Sequence, residues 1–410
     1  FDDSRYFYDL RKLAMEEGRT VESLLNPVDA GGLRLGCILC EDAWDLDYAV
    51  SPLQVLATKG CDLFINISSS PYTFNKYNKR NRVYAAVAAK LKKPLLYVNN
   101  VGIQDNGKTI FTFDGESCVY DGVDGRLTGL DRFTDGFFDV MIPRAGGAFG
   151  QPVQLMQDGV AQIHGALAYG VERFMRRCGI RRVVVGVSGG IDSAVVAALF
   201  ANILPPGDLL LVNMPSRFNS DLTRSLARDL AARLDRPFIE VPIEESVRLT
   251  TAQLDGLRAT APGGGNATTL KLSGAVLENV QARDRGSRLL AAIAAAFGGA
   301  FTCNANKAEA TVGYTTLYGD LGGFLAPLAD LWKGEVYALG RYLNEHVYKR
   351  EVIPAGAFAV VPSAELSMAQ DVTQGRGDPL VYPYHDRLFR SWVEWWDRST
   401  PEENLEWYLA

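Results

Sequence analysis

The chain has 410 residues, a formal net charge of −6, 47% hydrophobic residues and 22% charged residues. The length predicts about two domains and the composition an ordinary soluble protein, while the acidic balance argues against a general nucleic-acid binder. No run of 18 apolar residues predicts a membrane span, and six scattered cysteines are too few for a disulfide scaffold, so a reducing, cytoplasmic setting is expected.

The opening, FDDSRYFYDLRK, is neither a signal peptide nor a transit peptide, and residues 6–17 read as helical. Strand-like runs follow at 33–40 (LRLGCILC), 61–68 (CDLFINIS), 94–100 (PLLYVNN) and 117–121 (SCVYD), with a helical stretch at 79–91. The Gly/Pro-rich segment 143–152 reads as a linker, which predicts domains at 1–142 and 154–410 joined by 143–153. A helix over 154–177 is expected next. Strands 182–187, 209–214 and 237–241 then alternate with helices 192–204 and 221–234, the pattern of a parallel α/β sheet. Residues 260–269 (TAPGGGNATT) read as a mobile loop. The N-x-S/T triplets at Asn66 and Asn266 read as chance.

The most informative segment is Gly186-Val-Ser188-Gly189-Gly190-Ile-Asp192-Ser193. A strand, a Gly/Ser turn and a helix N-terminus make an anion site, because backbone N–H groups and the helix dipole converge there. Asp192 would repel a bare phosphate and makes sense if Mg²⁺ sits between carboxylate and phosphate. The Walker pattern is absent. The segment also matches G-x-S-x-G, the nucleophile elbow of hydrolases, with His346 and His385 downstream. Against that stand Asp192 beside the serine, the longer word S-G-G-x-D-S, the strand's place as the first of its domain, and the lack of a preceding oxyanion segment. A Gly-rich turn without a ligand is the bland alternative.

S-G-G-x-D-S resembles the loop of the pyrophosphatase-loop ATPases, which cleave ATP between the α and β phosphates and adenylylate a substrate oxygen. Downstream, Glu278-Asn279-Val-Gln-Ala-Arg283-Asp-Arg285, Asn304-Ala-Asn-Lys-Ala-Glu309, Val312-Gly-Tyr314-Thr315-Thr316-Leu317-Tyr-Gly-Asp320 and Pro362-Ser363-Ala-Glu-Leu366 resemble NAD synthetases over residues 154–410. The resemblance implies a doubly wound parallel-sheet domain that uses ATP and Mg²⁺ to convert deamido-NAD to NAD. It implies that Gly186, Ser188, Gly189, Gly190, Asp192 and Ser193 bind ATP with Asn304, Lys333 and Ser363. Asp192 and Glu309 would hold Mg²⁺. Asn279, Arg283, Glu309, Tyr314, Thr315, Thr316 and Leu317 would line the deamido-NAD site. The family often has threonine where Asn304 stands. Met214-Pro-Ser-Arg217 is a further candidate for contact with the adenosine.

In the first part, Cys37 and Cys40 form a C-x-x-C, but no second pair completes a zinc site. Cys37 reads as core and Cys40 as the candidate nucleophile. Cys40-Glu-Asp, Asn66-Ile-Ser-Ser-Ser70-Pro-Tyr, Lys79-Arg80 and 97–105 (YVNNVGIQD) resemble the nitrilase-type amidase domain of glutamine-dependent NAD synthetases. That resemblance implies an α-β-β-α sandwich that hydrolyses glutamine through a thioester on Cys40. Ser70 and Lys76 would contact glutamine, ammonia would pass by an internal tunnel, and the enzyme would be a homo-oligomer. The family's glutamate and lysine precede the cysteine, and only 39 residues stand before Cys40 here. The opening looks like the segment after that lysine, and Lys12 lies outside the motif, so the expectation is a piece of a longer protein. The alternatives are an ammonia-dependent synthetase with an inactive amidase-like domain, or a non-catalytic adenine-nucleotide-binding protein.

Overall fold

The computed structural model describes residues 8–45, 48–107, 109–143, 147–155, 159–265, 267–394 and 398–409. The opening seven residues, Asn266, residues 144–146 of the expected linker and residues 156–158 of the helix expected over 154–177 lie outside them. The chain forms two compact units, Phe1–Phe174 and Met175–Ala410. The division falls inside helix α4 (Gly159–Cys178), not in the Gly/Pro-rich segment. The reason is packing: Tyr169 of that helix stacks on Phe133 of the first unit at 4.7 Å.

The first unit is built on a six-stranded mixed sheet, in the order β1 (Val28–Ala30), β2 (Leu33–Leu39), β3 (Leu63–Ser68), β4 (Leu95–Asn99), β7 (Cys118–Tyr120), β8 (Leu127–Gly129). Strands β2, β3 and β4 run parallel, with Leu39 beside Ile67 and Ser68 beside Asn99. Their C-terminal ends therefore release Cys40, Ser69–Ser70 and Asn100 at one edge. Helices α2 (Pro52–Thr58) and α3 (Lys76–Leu91) contribute Leu53, Leu56, Tyr84 and Ala88 to the core, which they share with Ile38, Phe64, Leu95 and Tyr97. A separate hairpin pairs β5 (Val101–Asp105) with β6 (Ile110–Asp114). These layers are part of an α-β-β-α arrangement.

Cys37 corrects the sequence reading: it is exposed, not core. Side chains alternate along a strand, and on β2 Gly36 and Ile38 take the buried face. Cys37 shares the other face with Leu33 and Leu39, and Ile67 and Val98 on neighbouring strands are exposed as well. Helix α1 (Leu10–Glu16) is shorter than the run expected at 6–17 and is capped by Asp9, which accepts from the Lys12 N–H at 2.9 Å.

The second unit has a parallel sheet in the order β11 (Phe238–Glu240), β10 (Leu209–Asn213), β9 (Val183–Gly186), β14 (Ala300–Phe301). The strand order reverses between β9 and β14, and open α/β sheets bind ligands at such switch points. Helix α5 (Ile191–Ile203) follows β9 and is buried nearly all round, which suits its apolar composition. Helix α6 (Asp221–Leu234) has the bounds the sequence predicts, with Ser220 as its N-cap. The loop expected at 260–269 has paired flanks: β12 (Arg258–Ala259) joins β13 (Thr268–Thr269). Among the described residues, no helix is long and apolar enough to cross a membrane.

Candidate functional sites

The first site lies in the second unit, where β9 turns into α5. Gly189 has φ +93°, and a Cβ there would stand 2.2 Å from the Thr223 carbonyl oxygen, so only glycine fits. The two serines knit the turn. The Ser193 hydroxyl accepts from the Ser188 N–H and donates to the Gly190 carbonyl, each at 3.1 Å. The Ser188 hydroxyl accepts from the Gly190 N–H at 3.3 Å. Neighbouring strands hold the turn's carbonyls. Asn213 donates to Val187 O at 2.6 Å and Asn304 to Gly186 O at 2.8 Å. Thr302 donates to the Asn304 side-chain oxygen at 2.9 Å, which fixes the amide's orientation.

Asp192 sits in the first turn of α5, and three elements converge on it. Lys333, at the start of helix α8 (Lys333–Tyr342), places Nζ 2.5 Å from Asp192 Oδ2 and 3.7 Å from Glu309 Oε1. Asn306, the N-cap of helix α7 (Lys307–Val312), donates to Asp192 Oδ1 at 3.0 Å and is fully buried. Asn306 and Glu309 form a capping box, so Glu309 is held by its own helix start. The Lys333 side chain is 2% exposed and its ammonium lies 4.7 Å from the centre of the Tyr382 ring. Burial and then Asp192 hold the Glu309 carboxyl above its usual range, against the pull of Lys333. Asp192 and Glu309 hold the Lys333 proton tightly despite burial.

The residues expected to line a dinucleotide site join in a second cluster. Thr316 donates to Asn279 Oδ1 at 2.8 Å, and Arg283 Nε donates to Leu317 O at 3.2 Å. Leu317 is exposed, Thr315 half-buried, and Tyr314 accepts from Gln370 at 2.8 Å. Ser363 closes a turn of its own loop, donating to Gln370 O at 2.8 Å and accepting from the Glu365 N–H at 3.2 Å. Arg285 donates to Met214 O at 2.9 Å and to Asn219 at 3.2 Å; burial pushes its pKa down to about 10. It braces the strand end where Met214–Arg217 were expected to meet the adenosine.

Three residues around Asp192 were not singled out from sequence. Asn306 was within reach, because Asn-x-x-Glu is a capping-box word. Tyr382 and Asp378, joined by a 2.9 Å hydrogen bond, offered no such signal.

In the first unit, Cys40 is half-buried at the exit of β2 and has φ +36°. A cysteine held in the left-handed region is strained, and such strain gathers at working positions. Asn66, fully buried on β3, donates to the Cys40 carbonyl at 3.3 Å and to the Tyr84 hydroxyl at 3.1 Å. Lys76, at the start of α3, donates to Pro71 O at 3.1 Å. Burial lowers its pKa, while the nearby Cys40 raises it. The Ser70 N–H donates to Asn99 Oδ1 at 3.0 Å, and Asn99 in turn donates to Asp114 at 3.2 Å. Arg80 grips Asp114 through both nitrogens, at 3.2 and 3.1 Å, and also reaches Glu116. Buried Asn66 and Asn99 thus hold Cys40 and Ser70 at the strand ends, and Lys76 stands near Cys40 at the start of α3.

Residues 164–404 match the family model described as NAD synthase. The glutamine-dependent NAD(+) synthetase of Rhodobacter capsulatus is 34% identical over 354 residues, which are 83% of this chain and 60% of that protein. The protein of the same name from Thermotoga maritima is 30% identical, over 98% of this chain and 70% of its own length. The solved structure of glutamine-dependent NAD+ synthetase from Acinetobacter baumannii in complex with adenosine diphosphate superposes with a TM-score of 0.72 at 25% identity. That superposition covers 96% of this chain and 72% of the other. The chain spans about 60% of the length of the first curated relatives it matches.

Proposed function

Because the chain belongs to the NAD synthase family, we propose that it amidates deamido-NAD to NAD at the expense of ATP. The observation that carries this reading is the meeting of Asp192, Glu309 and Lys333 beside a glycine-serine loop at the sheet's switch point. The ATP polyphosphate would lie on the N–H groups of Gly189 to Ser193 at the N-terminus of α5. Lys333 would meet the phosphoryl oxygens as negative charge builds on them.

Asp192 and Glu309 fit a magnesium ion, since both already turn oxygens toward one cation. Among the described residues, no group of three or more His, Cys, Asp or Glu gathers to hold a metal. Two carboxylates, with phosphate and water completing the shell, suit magnesium. The metal, when bound, neutralises charge on the polyphosphate.

Asn279, Arg283, Tyr314, Thr315, Thr316 and Leu317 would orient deamido-NAD so that its nicotinate carboxylate faces the α-phosphorus. A carboxylate oxygen bonds to that phosphorus as the bond to the pyrophosphate oxygen breaks, and the pyrophosphate stays on the loop. Ammonia then bonds to the acyl carbon, loses a proton, and AMP leaves. Asn304 would act on ATP by fixing the Gly186 carbonyl, and Ser363 would shape a loop nearby.

In the first unit, the Cys40 thiolate would attack the glutamine carboxamide, with Ser70 and Lys76 orienting the substrate. The amide nitrogen takes up a proton as the C–N bond breaks and leaves as ammonia, and water then cleaves the thioester to glutamate and frees the Cys40 sulfur. The reading extends to a cytoplasmic homo-oligomer. Pyrophosphate release by the full-length protein tests it, measured with ATP, Mg²⁺ and ammonium chloride. The expected release depends on deamido-NAD and yields NAD. Release that ignores deamido-NAD overturns the assignment.

A further inference from the structure

Lys333 is the only ammonium the structure brings against Asp192 and Glu309 among the described residues, and it reaches both of the carboxylates read above as the metal pair. Its Nζ is 2.5 Å from one and 3.7 Å from the other. The ammonium has little room to retreat: its side chain is 2% exposed, and the Tyr382 ring lies beside it. Asn306 and the α7 capping box fix the two carboxylates, so they cannot open to admit a second cation without breaking those bonds. A divalent ion added to this gap would stand within a few ångströms of the ammonium, and like charges that close repel strongly in a desolvated site.

We infer that Lys333 is an internal counter-ion that fills the metal position in the nucleotide-free protein, so that divalent metal and polyphosphate must load together. The inference rests on the reading of Asp192 and Glu309 as the metal pair. Phosphate oxygens give the ammonium a new anionic partner and free the carboxylates for the metal. Metal and nucleotide then each tighten the other's binding by the same factor. A divalent metal alone finds its ligands already paired.

The test is Mn²⁺ binding followed by electron paramagnetic resonance on the nucleotide-free protein. Wild type is expected to bind Mn²⁺ weakly, and Lys333→Met at least about fivefold more tightly, the low end of ordinary site-to-site coupling. Lys333→Arg, which keeps the charge, is expected to stay as weak as wild type. Should Lys333→Met fail to fold, Lys333→Gln, which keeps a hydrogen-bond donor toward Asp192, carries the same expectation. Equal or weaker Mn²⁺ binding in the neutral variants overturns the inference. The metal reading is judged separately, with Asp192→Asn in the presence of α,β-methylene-ATP. If Asp192→Asn leaves Mn²⁺ binding unchanged there, the carboxylate pair is not the metal site and both fail. If it removes binding while the neutral Lys333 variants gain nothing, only the counter-ion fails.

Discussion

The side chain of Asn304 and the carbonyl of Gly186 lie 118 residues apart in sequence and 2.8 Å apart in space. This hydrogen bond ties the end of the fourth strand of the parallel sheet to the end of the first, across the switch point. It gives Asn304 a task that a direct ATP contact would not: it sets where the glycine-serine loop begins. Asn304→Ala should therefore loosen the loop without touching the reacting groups. The expected result is a KM for ATP raised about tenfold, the worth of one net hydrogen bond of ~1.4 kcal/mol, with kcat within about threefold of wild type. A large fall in kcat at unchanged KM would assign Asn304 to the chemistry instead.

Gly189 and Gly190 make a contrasting pair. A Cβ on Gly189 would lie 2.2 Å from the Thr223 carbonyl, in a backbone conformation of φ +93°. On Gly190, at φ −82°, its nearest neighbour would be the Ser188 hydroxyl at 3.5 Å. Gly189→Ala is expected to cost at least about 2 kcal/mol of stability. Gly190→Ala is expected to leave stability unchanged and to weaken only polyphosphate binding. Thermal unfolding, with and without an ATP analogue, separates the two; equal destabilisation by both would contradict the steric account.

Cys40→Ala in the full-length protein is expected to abolish NAD synthesis from glutamine and to spare synthesis from ammonium chloride. Asn66→Ala should act on the same half-reaction by releasing the Cys40 carbonyl, which Asn66 holds at 3.3 Å. Iodoacetamide labelling, mapped by mass spectrometry with exposed Cys37 as the internal reference, should then show an altered Cys40 rate. Loss of the ammonia-driven reaction in Cys40→Ala would undo the separation of the two activities.

Glu116 supplies a pH dependence with a definite sign. Burial outweighs its contact with Arg80 and pushes its pKa up to about 7 from the ordinary 4.5. The folded protein therefore holds an extra proton between those values. Its contribution is fully present below about pH 4.5 and is lost as pH rises through about 7. Glu116→Gln should flatten that slope and stabilise the first unit at pH 8 by about 1–3 kcal/mol, at ~1.4 kcal/mol per pKa unit. Hydrogen exchange in β4 and β7 measures it; an unchanged slope in the variant would assign the titration elsewhere.

The sequence made the second unit's framework readable because its signals are local and redundant. Ser220 caps α6, an apolar periodic run follows, and Asp235 ends it in the left-handed conformation, so both bounds could be read. The loop from Gly186 to Ser193 was legible for a similar reason: glycines, serines and an acid at fixed offsets leave little else to be. The hairpin of β5 and β6 was not, because only Asn100 separates β4 from β5 and Gln104-Asp105 blur the alternation. Strand β14 has two residues, too few to show a period. Cys37 was misread because an apolar run does not say which face of its sheet is covered. Lys333 could be named from a family word, but its contact with Asp192 spans 141 residues and no local pattern announces it.

The two units hold buried clusters of the same stoichiometry. In the first, one guanidinium, Arg80, serves two carboxylates, Asp114 and Glu116. In the second, one ammonium, Lys333, serves Asp192 and Glu309. Each cluster is one positive charge short of neutrality when its acids are ionised. Water-poor surroundings make that deficit costly unless a further positive charge offsets it. In the first unit a proton on Glu116 fills it, and the cluster answers to acidity. In the second, Lys333 would have to turn to phosphate before a divalent ion takes its place between the carboxylates, and the cluster would answer to the supply of nucleotide.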